Sequence, residues 1–287
     1  MNRHSFMRRT MIAALLLPTF GFAYNNALGP SGRVEAAVND LGKKPEALSY
    51  LQEQAQENNA LALFYLGVAT ETGNGVAKDS RAAFDLYRNA ADKIKEAAFN
   101  AGRLLYLGKR VDDAMSYFVV AAGADRADGI EKAMIMLGRI YERGESSYGR
   151  NYIAAARWYE AAARRKDPFA IGKMGEFLLH GFGRTANKRD ARIYIERAAD
   201  MWNSDAQFLM GEIFAKGMIG PVNRTEAGKW FFVTASQSSA HNSRSAEYLA
   251  ALSDQELASA RRMADLWISA HPKAPPIDYL GMIERIR

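Results

Sequence analysis

The chain has no cysteine among its 287 residues. A disulfide, a thiolate metal site and a cysteine nucleophile are therefore excluded, and so is the cysteine-linked lipid of bacterial lipoproteins. Histidine is scarce, with four residues in the whole chain, and no two of them have the HxxxH or HExxH spacing of a zinc helix. We expect no metal site.

Sequence motifs of catalysis are also missing. Gly73-Asn74-Gly75 is not followed by Gly-Lys-Ser/Thr, so we interpret it as a turn between helices and not as a phosphate-binding loop. There is no GxSxG motif, and carboxylate pairs such as Glu142 and Glu145 are typical of a solvated helix surface. The sequence predicts a protein that is not an enzyme and needs no cofactor, although a hydrolase acting through paired acids stays open.

Neither sign of charge is in large excess. The formal net charge is +6, and three of the positive charges are arginines in residues 1–23, where no acidic residue occurs. Removing those three takes the net charge from +6 to +3. This is too small for the strongly basic face that nucleic-acid binding requires.

Residues 1–23 have the pattern of a signal peptide. The arginines precede a short apolar stretch from Thr10 to Tyr24, and Gly21-Phe22-Ala23 places small residues at a cleavage site after Ala23. The stretch is shorter than the roughly 20 apolar residues of a membrane span, so we expect cleavage and no stable membrane anchor, with an uncleaved anchor as the alternative. The Arg8-Arg9 pair lacks the residues that usually follow it in a twin-arginine signal. The sequence predicts export by the ordinary secretory route to the periplasm or outside.

The rest of the chain is dominated by a repeated pair of glycines. The first glycines lie 35, 36, 37 and 36 residues apart, and each is followed by a second glycine six residues later. A period of this length predicts a solenoid of stacked helix pairs. The pairs are Gly67 and Gly73, Gly102 and Gly108, Gly138 and Gly144, Gly175 and Gly181, and Gly211 and Gly217.

Each glycine pair lies in the first helix of a predicted helix pair. In the first repeat this helix runs from about Asn59 to Thr72. A glycine inside a helix costs about 1 kcal/mol relative to alanine, so we expect it to permit close approach of a neighbouring helix. The second glycine is expected to be a left-handed C-cap. In the second helix, one large residue recurs among small ones, a pattern suited to tight packing, at Tyr87, Phe118, Tyr159, Ile195 and Phe231.

These motifs resemble the Sel-1-like repeat family, which is related to the tetratricopeptide repeats. The resemblance is carried by Leu66-Gly67 through Gly73-Asn74-Gly75-Val76 and by Ala82-Ala83, Tyr87 and Ala90-Ala91. It extends over residues 60–240. The second repeat departs from the pattern, with 12 residues from Gly102 to Ala114 where the others have 16 or 17.

The resemblance implies an all-α, right-handed superhelical solenoid of about five helix-turn-helix repeats that acts as a scaffold or adaptor. Some periplasmic family members regulate sensor kinases, and others support exopolysaccharide export. Members stapled by disulfides have been linked to penicillin binding, and we do not transfer that activity to a chain without cysteine.

Flanking segments complete the predicted domain organisation. We expect a signal peptide over 1–23, a linker over 24–44 with weak helix potential at 33–41, and an N-terminal capping helix over 45–59. Five repeats follow over 60–240, then C-terminal capping helices over 241–271 and a tail over 272–287. A capping box of Ser253 and Glu256 predicts the start of the last helix.

By analogy with tetratricopeptide geometry, residues at −3, +1, +4 and +5 from the first glycine face a concave groove. These positions include Phe64, Val68, Glu71, Phe99, Ile135, Leu179 and Phe208. The proposed partner-binding groove consists of Arg103, Tyr106, Leu107, Arg139, Glu142, Arg143, Glu176, His180, Glu212 and Lys216. Arginine and aromatic residues are enriched in binding hot spots, so we expect a protein partner from the envelope, a sensor or an export machinery. Alternatively, Phe64, Phe99 and Phe208 belong to the core and the arginines are solvated.

A basic patch offers a different hypothesis. It comprises Arg164-Arg165-Lys166, Lys188-Arg189 and Arg192, at predicted helix ends and loops where positive charge suits the helix dipole. A solvated surface is the simpler interpretation, and binding of an anionic glycan or lipid headgroup is the functional one. A cell-wall-acting enzyme is the third alternative.

Overall fold

The computed structural model describes residues 30–123 and 129–271. Every regular element in this part of the chain is helical, as predicted. The chain divides into two compact units, Met1–Ile130 and Glu131–Arg287. The predicted signal peptide with its cleavage site and the predicted tail over 272–287 lie outside the described residues. None of the described helices combines the length and apolar character needed to cross a bilayer.

In its described residues, the first unit contains six helices, and consecutive helices pack against each other. They are α1 (Pro30–Asp40), α2 (Pro45–Gln56), α3 (Ala60–Thr72), α4 (Ser80–Ala90), α5 (Lys95–Leu107) and α6 (Val111–Ala122). The pairs α3–α4 and α5–α6 correspond to the first two predicted repeats.

In its described residues, the second unit contains eight α-helices and a short 3-10 helix, Ser239–His241. Its predicted repeats are the pairs α7–α8, α9–α10 and α11–α12. The α-helices are α7 (Glu131–Arg143), α8 (Tyr152–Arg164), α9 (Pro168–His180), α10 (Lys188–Asp200), α11 (Ser204–Lys216), α12 (Arg224–Ala235), α13 (Asn242–Ala250) and α14 (Asp254–Ala270).

The first glycine of each repeat lies under a large side chain from the second helix of the pair. A Cβ placed on Gly67 would lie 2.8 Å from the ring of Tyr87, and one on Gly138 would lie 2.6 Å from the ring of Tyr159. The close approach expected at the glycines is therefore confirmed, and the recurring large residue of the second helix is what makes it. The same contact joins Gly102 to Phe118, Gly175 to Ile195, and Gly211 to Phe231.

The second glycine ends the first helix. Gly73, Gly181 and Gly217 are left-handed C-caps with φ of 81°, 75° and 63°, as predicted. The prediction is wrong for Gly108, whose φ is −74°. The connection to α6 is much shorter than in the other pairs, and the left-handed residue there is Lys109, with φ of 63°.

The segment before α2 differs from the expected linker, because residues 30–40 form α1. Val34 and Ala37 are fully buried and Leu41 nearly so, in one apolar cluster with Leu51 of α2. These three residues follow one another at helical spacing, but a stripe of only three gives a weak sequence signal.

Helices also flank the repeats where the sequence predicts them. α2 lies within the predicted capping helix at 45–59, and α14 opens with the predicted capping box, in which the Ser253 hydroxyl accepts from the Glu256 amide. Ala260 and Ala264 form the buried face of α14. Gly228 of α12 lets α14 approach, since a Cβ there would lie 2.8 Å from the Ala260 Cβ.

Candidate partner-binding pocket

A pocket of about 370 Å³ opens within the second unit. Its walls come from α7, α9 and α11, the first helices of three successive pairs, and from the residues just before α11. Because these helices occupy equivalent places in the repeat, equivalent side chains lie next to one another. Five residues of the predicted groove line this pocket: Arg139, Glu142, Arg143, Glu176 and Glu212.

Arg139 is held on an aromatic ring contributed by the next repeat. Its guanidinium carbon lies 5.1 Å from the centroid of the Phe169 ring, a geometry in which the positive charge is attracted to the ring face. None of the described residues forms an ion pair with Arg139. The planar fork of N–H donors is therefore available to a ligand.

Lys173 holds two carboxylates of the pocket. Its Nζ lies 2.8 Å from Glu142 Oε1 and 2.9 Å from Glu176 Oε2. Burial alone would lower the pKa of Lys173, but attraction to Glu176 and Glu142 outweighs it and the pKa is raised. Lys173 therefore stays charged at neutral pH and holds both carboxylates in place.

Glu142 also accepts a hydrogen bond from the large residue of the second helix in its own repeat. The Tyr159 hydroxyl donates to Glu142 Oε2 at 2.6 Å. Burial, followed by the negative charge of Glu142, raises the pKa of Tyr159, so the phenol remains protonated and keeps donating.

A histidine from the 3-10 helix borders the pocket at α11. His241 Nε2 lies 2.8 Å from Asp205 Oδ1, and the imidazole stacks on the Phe208 ring at 4.5 Å. The hydrogen bond with His241 holds the pKa of Asp205 below its usual value, against the opposing effect of burial. This contact positions Asp205 and covers Phe208.

Glu212 is compensated by two cations. Lys216 Nζ lies 2.7 Å from Glu212 Oε1, and an Arg244 nitrogen lies 2.9 Å from the same oxygen. The Arg244 guanidinium also lies over the Phe208 ring, 4.4 Å from its centroid. Lys216, predicted as a groove residue, thus contacts the pocket through Glu212 and does not line it.

The remaining predicted groove residues do not join this pocket. Arg103 lies in the first unit and donates to both carboxylate oxygens of Glu71 at 2.5 and 2.6 Å, so its fork is engaged within the chain. Tyr106 is half-buried and Leu107 is exposed. His180 is exposed and stacks on Phe182 at 5.3 Å.

Several residues expected to face the groove are buried. Ile135, Leu179 and Phe208 are 7%, 6% and 3% exposed, although Phe208 still contributes to the pocket wall. The residue at −3 from the glycine packs on the large residue of the second helix and so belongs to the core. The ring centroids are 6.1 Å apart for Phe64 and Tyr87, 5.8 Å for Phe99 and Phe118, and 5.4 Å for Phe208 and Phe231.

Sequence reasoning missed the pocket residues at −6 and −2 from the first glycine. They lie on the same helical stripe as +1 and +5, at spacings of three or four residues, so a helical wheel contains the signal. His241 lies outside the repeats and had no such signal. The missed residues at these positions are Phe169, Lys173, Asp205 and Leu209.

Three arginines of the predicted basic patch form ion pairs with glutamates. In the basic patch, Arg164 pairs with Glu160, Arg165 with Glu131 and Arg192 with Glu196. In the described part of the chain, no three His, Asp or Glu side chains are grouped so that they could hold a metal ion.

The repeats themselves identify the family. The model of the Sel1 repeat family matches residues 60–93, 131–167, 168–201 and 204–239. The chain is a Sel1 repeat protein. The matches correspond to α3–α4, α7–α8, α9–α10 and α11–α12. The pair α5–α6 lies outside them, with its shortened connection, although Gly102 and Phe118 meet there as in the matched repeats.

Solved structures share the fold of this Sel1 repeat protein. A Sel1 repeat protein from Oxalobacter formigenes is similar with a TM-score of 0.63 at 24% identity, covering 85% of this chain and 100% of that one. A protective antigen with an SLR (Sel1-like repeat) fold, present in uropathogenic Escherichia coli strains, is similar with a TM-score of 0.51 at 17% identity. The alignment covers 86% of this chain and 65% of that one. These likenesses show the solenoid repeat fold.

Curated relatives come from Schizosaccharomyces pombe. Chitin synthase regulatory factor 3 is 28% identical over 202 residues, and chitin synthase regulatory factor 2 is 26% identical over 209. The alignments cover 67% and 66% of this chain but 21% and 40% of those proteins. The chain therefore spans less than half the length of either relative. Sel1 repeat proteins are protein-interaction scaffolds.

Proposed function

We propose that this Sel1 repeat protein is an exported adaptor or regulator that docks a partner protein over the pocket of α7, α9 and α11, without catalysis. The observation that carries the proposal is the pocket itself, where Arg139 is held on Phe169 with its donors free and Leu209 adds apolar surface. Arginine on an aromatic ring beside apolar side chains is the composition of a binding hot spot.

The proposed partner is a component of the bacterial envelope, such as a sensor or export-machinery protein. Export to the envelope is inferred from the signal-peptide pattern of residues 1–23. The two curated relatives are named regulatory factors of chitin synthase, which supports regulation of a partner as the role.

Two alternatives have less support. Glycan binding through the basic patch would use arginines that already pair with glutamates, as Arg164, Arg165 and Arg192 do. For catalysis by paired acids, no sequence motif marks a pair, and Glu142 and Glu176 both contact Lys173.

Affinity capture from crosslinked envelope extract tests the proposal. The full chain is compared with a pocket variant, Arg139→Glu with Leu209→Glu. A matched control, Arg157→Glu with Ile193→Glu, makes the same changes at exposed positions of α8 and α10.

We expect the wild-type chain and the control to retain one and the same protein, and the pocket variant to lose it. Circular dichroism checks that all three chains have equal helicity. Equal retention by the pocket variant would contradict docking at the pocket, and retention of glycan alone would favour the glycan alternative.

A further inference from the structure

Arg139 differs from the other cations around the pocket in having no acidic partner. Lys173 contacts Glu142 and Glu176, and Lys216 contacts Glu212. Among the described residues, no carboxylate is paired with Arg139. The N–H donors of Arg139 are therefore available to a ligand, and a charged acceptor makes the stronger hydrogen bond with a guanidinium.

The acidic residues of the pocket are engaged by other side chains of the protein. Each of the four acids lies within hydrogen-bond distance of a cation or of His241. These acids are Glu142 and Glu176 on Lys173, Glu212 on Lys216 and Arg244, and Asp205 on His241. Arg143, the other arginine of the pocket wall, pairs with Glu145 at 3.3 Å, so the pocket offers a ligand the fork of Arg139.

The geometry of Arg139 limits the class of anion. The guanidinium carbon lies over the Phe169 ring, 5.1 Å from its centroid, and the N–H donors of a guanidinium form a planar fork. A planar carboxylate can accept two parallel N–H bonds from such a fork. The neighbouring Phe169 and Leu209 add apolar surface, and Asn203 adds an amide. A volume of about 370 Å³ accommodates side chains and not a folded domain.

We propose that the pocket binds a carboxylate of an extended peptide segment, gripped by Arg139, together with an adjacent apolar side chain against Phe169 and Leu209. The inference rests on the proposed docking function and specifies its chemistry. The carboxylate belongs to an Asp or Glu side chain or to a peptide C-terminus, since the fork accepts either.

The test uses the purified full chain and a fluorescein-labelled positional-scanning library of octapeptides with amidated C-termini, read by fluorescence anisotropy. We expect pools with a fixed Asp or Glu to bind best, and a neighbouring apolar position to be selected next. The best single peptide is then compared with its own Glu-to-Gln or Asp-to-Asn analogue, which leaves the protein unchanged. We expect a loss of about tenfold or more.

On the protein side, Arg139→Gln is expected to cause a similar loss of about tenfold. Arg139→Lys, which keeps the charge but not the fork, should give a smaller loss. Arg157→Gln removes the same charge from an exposed position of α8 and should leave binding unchanged. A parallel set of peptides with free C-terminal carboxylates distinguishes the two sources, because a terminal ligand would bind only when it is not amidated.

Binding without preference for acidic residues or a free terminus, or an unchanged affinity in Arg139→Gln, would overturn the assignment. Failure of every peptide to bind would also overturn it. If the wild-type chain still captures one protein that the Arg139→Glu and Leu209→Glu variant loses, docking at the pocket stands and only the carboxylate assignment fails.

Discussion

At the scale of single residues, the type of large residue on each second helix is correlated with the residue that lies four positions after the first glycine of the same repeat, the matched position. Where that residue is a tyrosine, the position four residues after the first glycine is a glutamate that accepts its hydroxyl. The pairs are Tyr87 with Glu71 and Tyr159 with Glu142. In the other three repeats the large residue has no hydroxyl, and the matched position holds Tyr106, Leu179 or Ala215.

We expect Gly175→Ala to lower the free energy of unfolding by about 1–3 kcal/mol through overpacking. The new Cβ would lie 2.5 Å from Ile195 Cγ1 and 3.0 Å from its backbone nitrogen, which cannot move aside easily. Gly220→Ala is the control, because a Cβ there meets nothing within 4 Å. Urea unfolding followed by circular dichroism measures both. A free energy of unfolding that is unchanged in Gly175→Ala would show that the close contact at this glycine does not require the absence of a Cβ.

Tyr159→Phe removes the hydroxyl that donates to Glu142 and is expected to cost about 1.5–3 kcal/mol, the range for a hydrogen bond to a charged group. Adding Glu142→Leu imitates the fourth repeat, where Leu179 and Ile195 occupy the matched positions. Because the two residues interact directly, the double variant should lose less than the sum of the single losses. Strictly additive losses in urea unfolding would argue against the matched pair.

Asp205 gives the fold a dependence on acid pH. Its pKa is lowered by His241, so its charge stabilises the folded chain above the unfolded pKa of about 4. That contribution disappears as the pH falls through the lower folded pKa. Lys173 and Arg139 also face Asp205 and act in the same direction.

We therefore expect wild type to be more stable than Asp205→Asn at neutral pH, and the difference to shrink as the pH falls below about 4. Urea unfolding of both chains at several pH values measures it. A difference that stays constant or grows in acid would contradict this assignment.

At the scale of elements, sequence patterns are informative where structure is local. The capping box places the start of α14, and the residues before most repeat helices are Asn or Asp caps, such as Asn59, which accepts from the Leu61 amide. The groove face was harder to predict because the side of a helix that stays open depends on its neighbours. The −3 position is occupied by Phe208 in the last repeat and packs inward on Phe231.

Ser253→Ala should destabilise α14 and with it the packing of α14 on α12, at a cost of about 1 kcal/mol, the usual value of an N-cap side chain. Ser259→Ala, inside the same helix, is the control and should be neutral or slightly stabilising, since alanine is the better helix former. Thermal unfolding compares the two. Equal unfolding temperatures for Ser253→Ala and Ser259→Ala would mean that the Ser253 cap contributes nothing to stability.

At the scale of the whole molecule, the repeat period is enough to predict an all-α repeat fold, because each unit repeats the same packing problem. The pocket could be predicted only in part. Arg139, Glu142 and Glu176 were predicted from their repeat positions, but some of the side chains that they contact come from neighbouring repeats. Lys173 meets Glu142 across 31 residues of sequence, and His241 meets Asp205 across 36. Such pairing has no local signature.

Docking of a partner protein over the pocket of α7, α9 and α11 is the central claim, and site-specific photocrosslinking in cells tests it most directly. A photoreactive phenylalanine analogue replaces Leu209 in the pocket or, as the control, Ile193, which is 56% exposed on α10. Crosslinking from position 209 to one specific protein, lost with Arg139→Glu and absent from position 193, is the predicted result. The same products from both positions, or no protein crosslinked at 209, would contradict the account.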